Sequence, residues 1–124
     1  MSVLRLPCGT AARKLRRARR ARPLIDELRR RFSAGRARNV RALVEFHVET
    51  GDGDVERYRL LIDRGRCVRV RRPLSPTTTI AIALEDLAAL VDGREAPAAL
   101  FMSQRMSVTG DVLLAVRLPD FFSG

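Results

Sequence analysis

The residues whose types could do chemistry are few and poorly partnered. His47, the sole histidine, lies between Glu45 and Glu49 in the run RALVEFHVET. Imidazole and two carboxylates could start a metal site, but a closed site needs further ligands and the sequence shows none. A solvated cross-strand charge cluster is the plainer reading. Cys67 alternates with arginines in RCVRVRR, an electropositive setting that could lower its pKa, although a half-buried inert thiol suits the pattern better. Cys8 and Cys67 form no CxxC pair and suggest a reducing compartment without a disulfide framework. There is no GxSxG, P-loop or GxGxxG after a strand. A hydrolytic triad is hard to build on one histidine set mid-strand between two glutamates. Neither it nor the cysteines have the partners that activate a nucleophile, so no catalytic residue, metal or cofactor is assigned.

The other chemically active group is a block of charge. The chain has 124 residues and a net charge of +10. Residues 1–41 hold 14 basic and 2 acidic side chains (+12), whereas 42–124 hold 10 and 12 (−2). The excess therefore belongs to an N-terminal extension, and any anionic partner must be argued from it. Arg13, Lys14, Arg16, Arg17, Arg19, Arg20 and Arg22 make up its cationic tract, with Leu15 as its one bulky apolar residue. Such a tract suits a solvated arm, a transient contact with anionic membrane, or nucleic-acid phosphates. Nucleic acid is the weaker choice. Aromatic residues are 5% of the chain, with no base-stacking ladder, zinc knuckle or helix-turn-helix spacing. Met1–Gly9 shows no secretory signal pattern and no apolar run approaches a membrane span, so a cytoplasmic location is expected.

The length allows one domain, read as an extension at 1–22 and a folded unit at 23–124. Pro23, the Leu24, Leu28 and Phe32 stripe, and arginines 29–31 before Gly35 predict a short amphipathic helix with Gly35 as its left-handed cap. From Val40 the period becomes two. Val44, Phe46 and Val48, then Tyr58, Leu60 and Ile62, then Val68 and Val70, then Ile80 and Ile82 each alternate with charged or small residues. Pairing Val48 with Tyr58, Phe46 with Leu60, Leu60 with Val70 and Ile62 with Val68 keeps these on one face. It implies three-residue loops at 52–54 and 64–66. Helical spacing returns in Leu84, Leu87, Leu90 and Val91, closed by Gly93, and again in 98–102. Met106 and Val108 form a brief strand ending at Gly110. A last apolar helix through Leu113 and Leu114 is halted by Pro119. One apolar sheet face under short helices is either an ordinary packed core or the wall of a cavity, and periodicity alone does not separate them.

The ordered run Glu85-Asp86-Leu87, Gly93, Pro97, Phe101-Met102, Gly110-Asp111 and Leu114-Ala115 resembles the sterol carrier protein type 2 (SCP2) family of small lipid-binding domains. With the helix and hairpins from about Pro23, the likeness covers roughly 100 residues. One departure is Gln104, where many members have glycine. The resemblance implies an α/β fold of the α+β type: a five-stranded, mostly antiparallel sheet covered on one face by short helices that enclose an apolar tunnel. It implies a non-catalytic carrier of sterol, fatty acid or fatty acyl ligands, or an accessory module presenting such a lipid to an enzyme partner. The residues expected to line the tunnel are Phe46, Tyr58, Leu60, Ile62, Val70, Ile80, Ile82, Leu87, Leu90, Leu100, Phe101, Met102, Met106, Val108, Leu113 and Leu114. Burial of about 0.8 kcal/mol per methylene would drive binding. A tunnel of this kind should be a void well above about 300 Å³.

Overall fold

The computed structural model describes residues 20–51, 53–72 and 74–122. Helix α1 (Arg22–Arg30) is followed by strands β1 (Arg41–Glu49), β2 (Val55–Asp63), β3 (Arg66–Val70) and β4 (Thr78–Ala83). Then come helices α2 (Leu84–Val91) and α3 (Pro97–Met102), strand β5 (Met106–Gly110) and helix α4 (Val112–Phe121). The five strands form one sheet in the order β3-β2-β1-β4-β5. The β1–β4 pair is parallel and the other three are antiparallel, so the sheet is mixed.

The first hairpin keeps the expected faces but not the expected register. Phe46 pairs with Tyr58, Val44 with Leu60 and Ala42 with Ile62, two residues from the predicted pairing. A slip of two leaves every side chain on the same face, so hydrophobic alternation cannot detect it. The loop is correspondingly longer, spanning 50–54, with Gly51 and Gly53 both at positive φ. The second hairpin differs by one residue, which matters more. Asp63 pairs with Arg66 across a two-residue turn, Arg64 (φ 49°) and Gly65 (φ 86°), both left-handed as a type I′ turn requires. Val68 and Val70 therefore share a face with Leu61 and Arg59, away from the main core, while Cys67 and Arg69 share the core face with Ile62 and Leu60.

Helix ends are set by local backbone chemistry. Gly93 (φ 78°) closes α2: the Arg94 amide donates to the Ala89 carbonyl at 2.8 Å and the Gly93 amide to Leu90 at 3.2 Å. The same arrangement closes α3 without glycine. Gln104 stands at φ 62°, its amide donates to Phe101, and Arg105 donates to Leu100. Asp111 caps α4, its side chain accepting from the Leu114 amide at 3.0 Å. Two expectations are corrected here. Gly35 is absent from the left-handed residues, and α1 ends through Arg31, whose amide donates to the Glu27 and Leu28 carbonyls. Pro119 lies inside α4 rather than stopping it, because so near the helix end its missing N–H forfeits one hydrogen bond.

The packed fold reaches beyond the expected boundary at residue 23. Ala21 is fully buried, and the Glu56 carboxylate accepts from its amide at 2.9 Å, from the Arg20 amide at 3.1 Å and from the Tyr58 hydroxyl at 2.7 Å. The Arg20 guanidinium donates to the Thr50 carbonyl at 3.1 Å. Buried Glu56 thus fastens the start of α1 to β2. The chain after α1 passes Gly65, where an added Cβ would lie 3.3 Å from the Ala34 carbonyl oxygen. In the same segment the Ser33 amide donates to the Phe121 carbonyl at 2.6 Å, and Phe32 meets Phe122 edge-on at 5.7 Å, tying the chain after α1 to the end of α4. The core fills the helix-covered face, with Ile25, Val48, Leu60, Ile62 and Leu100 fully buried.

Candidate functional site

Over β5, the short helix α3 and the facing side of α4 stand apart and leave a cavity of about 290 Å³. Its wall is apolar throughout: Ala96, Pro97, Ala98, Phe101 and Met102 from the α3 region, Met106 and Val108 from β5, and Val112, Ala115, Val116 and Pro119 from α4. A second apolar void of about 70 Å³ lies deeper, among Leu28, Phe46, Ile80, Ile82, Leu87, Leu90, Leu118 and Phe122. Pro97, Met106, Ala115 and Pro119 line both, so the two meet at a shared partition. The sequence places this opening. The Schellman close at Gln104 turns the chain from α3 into β5 within three residues, and Gly110 then lets β5 leave directly into α4. At Gly110 (φ 94°) an added Cβ would sit 2.6 Å from the Thr77 carbonyl oxygen, so only glycine fits.

The expected lining residues divide into three groups. Phe101, Met102, Met106 and Val108 line the outer cavity, and Phe46, Ile80, Ile82, Leu87, Leu90 and Met106 the inner one. Tyr58, Leu60, Ile62, Leu100 and Leu114 line neither and are buried in the packed core. Val70 is on the opposite sheet face, turned there by the two-residue Arg64–Gly65 turn, and Leu113 points outward, 78% exposed. The lining residues not expected are Ala96, Ala98, Ala115 and both prolines, which a search for bulky apolar side chains passes over. The run Ala96-Pro97-Ala98-Ala99 at the start of α3, and the single Ala115 among the bulky apolar residues of α4, are the available signal. Val112 and Val116 in the outer cavity, and Leu28, Leu118 and Phe122 in the inner one, are further additions, since helical spacing did not assign them to a cavity wall. The volume also differs from expectation. It sits at the lower edge of the range for ligand pockets, about 300–1,000 Å³.

Outside the cavity, the charged groups are engaged structurally. Glu45 meets the Arg59 Nε at 2.6 Å and the His47 Nε2 at 2.5 Å, on the sheet face opposite the core. Burial pushes the Glu45 carboxyl up, but hydrogen bonding from His47 and the charge of Arg59 outweigh it and hold the carboxyl below its ordinary range. Among the described residues no group of three histidine, cysteine or acidic side chains is placed to hold a metal. Arg105 joins Asp86 to Glu95, contacting the latter at 3.2 Å. Cys67 is half-buried and reduced, and burial pushes its thiol up to about 11, the opposite of an activated nucleophile. Of the cationic tract, Arg20 and Arg22 belong to the packed fold. Arg13, Lys14, Arg16, Arg17 and Arg19, with Cys8, lie outside the described residues.

The model of a family described as the SCP-2 sterol transfer family matches residues 25–123. The chain belongs to that family. Solved structures agree with this SCP-2 assignment in fold. Sterol carrier protein 2 like 2 from Aedes aegypti is 19% identical with a TM-score of 0.66, covering 82% of this chain and 94% of that one. Sterol carrier protein 2 from the same mosquito, solved in complex with the C16 fatty acid palmitate, is 19% identical with a TM-score of 0.56, over 79% and 94%. The sec-alkylsulfatase Pisa1 from Pseudomonas sp. is 11% identical with a TM-score of 0.64, over 78% of this chain and 15% of the enzyme, so an SCP-2-like unit is also a part of a larger enzyme. Among curated proteins none matches the sequence significantly. No helix among the described residues is long and apolar enough to cross a membrane.

Proposed function

We propose that this SCP-2 domain is a non-catalytic carrier that takes one apolar chain, a fatty acid or fatty acyl group, into the cavity between α3, α4 and β5. The observation that carries this reading is a cavity walled entirely by apolar side chains, with a further void at its inner end. At about 30 Å³ for each water- or methylene-sized group, the outer cavity holds about ten methylenes. At about 0.8 kcal/mol each that is on the order of 8 kcal/mol before the cost of immobilisation, enough for modest, exchangeable affinity. A rigid sterol skeleton exceeds this volume, so we place medium-chain acyl ligands ahead of sterols. The unbranched, polarisable Met102 and Met106 suit a wall that adapts to several chain shapes. Palmitate in the Aedes aegypti sterol carrier protein 2 supports the same ligand class.

The test is native mass spectrometry of purified protein with extraction of any retained lipid, together with displacement of a fluorescent fatty acid by dodecanoate and by cholesterol. Saturable displacement by dodecanoate, with cholesterol the weaker competitor, supports the proposal. No retained lipid and no fatty-acid uptake would overturn it. A second reading, a module that presents a lipid-like substrate to an enzyme, is favoured by the SCP-2-like unit in the alkylsulfatase. A stoichiometric enzyme recovered with the tagged chain from native extract would move the assignment there, and solitary lipid-loaded protein would favour carriage. Salt-sensitive retention on DNA that disappears with residues 1–19 would instead assign the arm to nucleic acid. A cytoplasmic site of action is part of the carrier proposal.

A further inference from the structure

Where the outer cavity meets the inner void, four residues stand in both walls: Pro97, Met106, Ala115 and Pro119. Three of them cannot clear a passage. A proline ring and an alanine methyl have no side-chain rotation that would move them aside, so only a shift of the α3 or α4 backbone would displace them. Met106 differs. It opens β5, its backbone fixed opposite Ile82 in the sheet, and its unbranched thioether turns about three bonds. At 9% exposure it lies almost wholly inside, between two apolar spaces that its end can enter.

The two spaces differ in what they hold. By volume the outer one takes about ten methylenes and the inner one, of about 70 Å³, takes about two. Beyond the partition the inner void is bounded by Leu28 of α1, Phe46 of β1 and Phe122 after α4. Phe122 is braced by its edge-on contact with Phe32, and Leu28 and Phe46 are buried core residues. That far wall is packed, so an apolar chain passing the partition ends there.

We propose that Met106 is the residue that determines chain-length specificity: its side chain gates the passage between the two voids, and only acyl chains longer than the outer cavity require it to turn aside. This rests on the carrier reading and names the residue that selects among its ligands. A shorter chain lies wholly in the outer cavity with Met106 as its floor. A longer one threads past Met106 and ends against Phe46 and Phe122. Each methylene that finds apolar space tightens binding about fourfold, and beyond the floor that gain is available only where residue 106 can turn.

The experiment compares affinity for decanoate, which the outer cavity holds, with that for tetradecanoate, which exceeds it. Both are read by displacement of a fluorescent fatty acid from the full chain, in the parent, Met106→Ile and Met106→Leu. Isoleucine nearly keeps the volume of methionine but branches at Cβ, which restricts its first rotation. Met106→Ile should leave decanoate within about twofold of the parent. It should weaken tetradecanoate about fifteenfold, because about two methylenes lose the inner void. Met106→Leu, branched one bond further out, should fall between the two and keeps the test decisive if the isoleucine variant does not fold. An equal loss for both acids would mark a packing role and overturn the proposal, as would an unchanged ratio between them or a parent with no preference for tetradecanoate. A parent that takes up neither acid overturns the carrier reading and the gate together, whereas one that binds both with a ratio that neither variant moves removes the gate alone.

Discussion

Ala115 is the position at which the carrier reading is most exposed to test. It is partly buried in the middle of α4, lines both voids, and its amide donates to the Asp111 carbonyl, a bond that any side chain leaves intact. Ala115→Phe adds six ring carbons at the partition between the cavities. A ligand chain would lose the inner void and part of the outer one, about three to five methylenes. At about 0.8 kcal/mol each that is roughly 2–4 kcal/mol, or a loss of affinity between about 30-fold and 1,000-fold. The unliganded protein loses nothing comparable, because the ring enters space no side chain occupies, so its melting temperature should stay level or rise. The assay is titration of a fluorescent fatty acid beside thermal unfolding of the ligand-free protein. Ala115→Leu should give an intermediate loss of affinity and guards against overpacking by the larger ring. Unchanged affinity in a folded Ala115→Phe protein would show that the chain does not lie in this cavity.

Three further predictions concern the scaffold. Glu56→Ala removes the acceptor for the Arg20 and Ala21 amides and the Tyr58 hydroxyl, so stability measured by urea unfolding should fall by about 2–4 kcal/mol, with Glu56→Gln retaining part of it; a loss below 1 kcal/mol would mean the start of α1 is not fastened there. Gly110→Ala should cost at least about 2 kcal/mol, from its left-handed φ and the Thr77 carbonyl, whereas Gln104→Gly relieves a left-handed non-glycine residue and should cost nothing; a reversed order would refute both assignments. Cys67 should be alkylated by iodoacetamide at pH 8 about a hundredfold more slowly in the folded than in the urea-unfolded protein, since burial raises its thiol from 9.0 to about 11. By the same linkage its contribution to stability is whole below pH 9 and is lost as pH rises toward 11, so equal alkylation rates would remove both effects.

Much of the fold is legible because its rules are local. Alternation in 44–48, 58–62 and 80–82 marks the core face, Gly93 closes α2, and Pro97 opens α3, all from residue type and spacing. Register is less legible for two separate reasons. A slip of two is silent in the pattern of β1 and β2. In β3 the edge strand Arg66–Val70 offers either alternation, valines or Cys67 with Arg69, so the turn decides, and an arginine in the left-handed position conceals a two-residue turn. Gln104, at φ 62°, conceals its cap in the same way.

The site was harder to read than the fold because it is made of what is missing. The fully buried side chains Ile25, Leu60 and Ile62 belong to the part of the sheet reached by α1, where Glu56 and the chain at Ala34 hold the helix against β2 and its turn. The voids lie toward β4 and β5, under a six-residue helix and beside a helix whose inward position 115 is alanine. Empty space is therefore segregated to one side of the sheet, although Leu87, Leu100 and Phe121 are as fully buried there as Ile25, Leu60 and Ile62 are near β2. That arrangement explains how a small domain can keep an unfilled cavity: buried side chains on both sides supply stability, and the opening lies between the small or exposed residues of α3, α4 and β5. It also orders the consequences of mutation. Truncating Leu60 or Ile62 to alanine should act on stability, by about 2–5 kcal/mol, with little direct effect on ligand. Truncating Met106 should instead enlarge the site and shift preference toward longer chains. If Leu60→Ala changed chain-length preference as much as Met106→Ala, the two halves would be one continuous cavity and the segregation would be refuted.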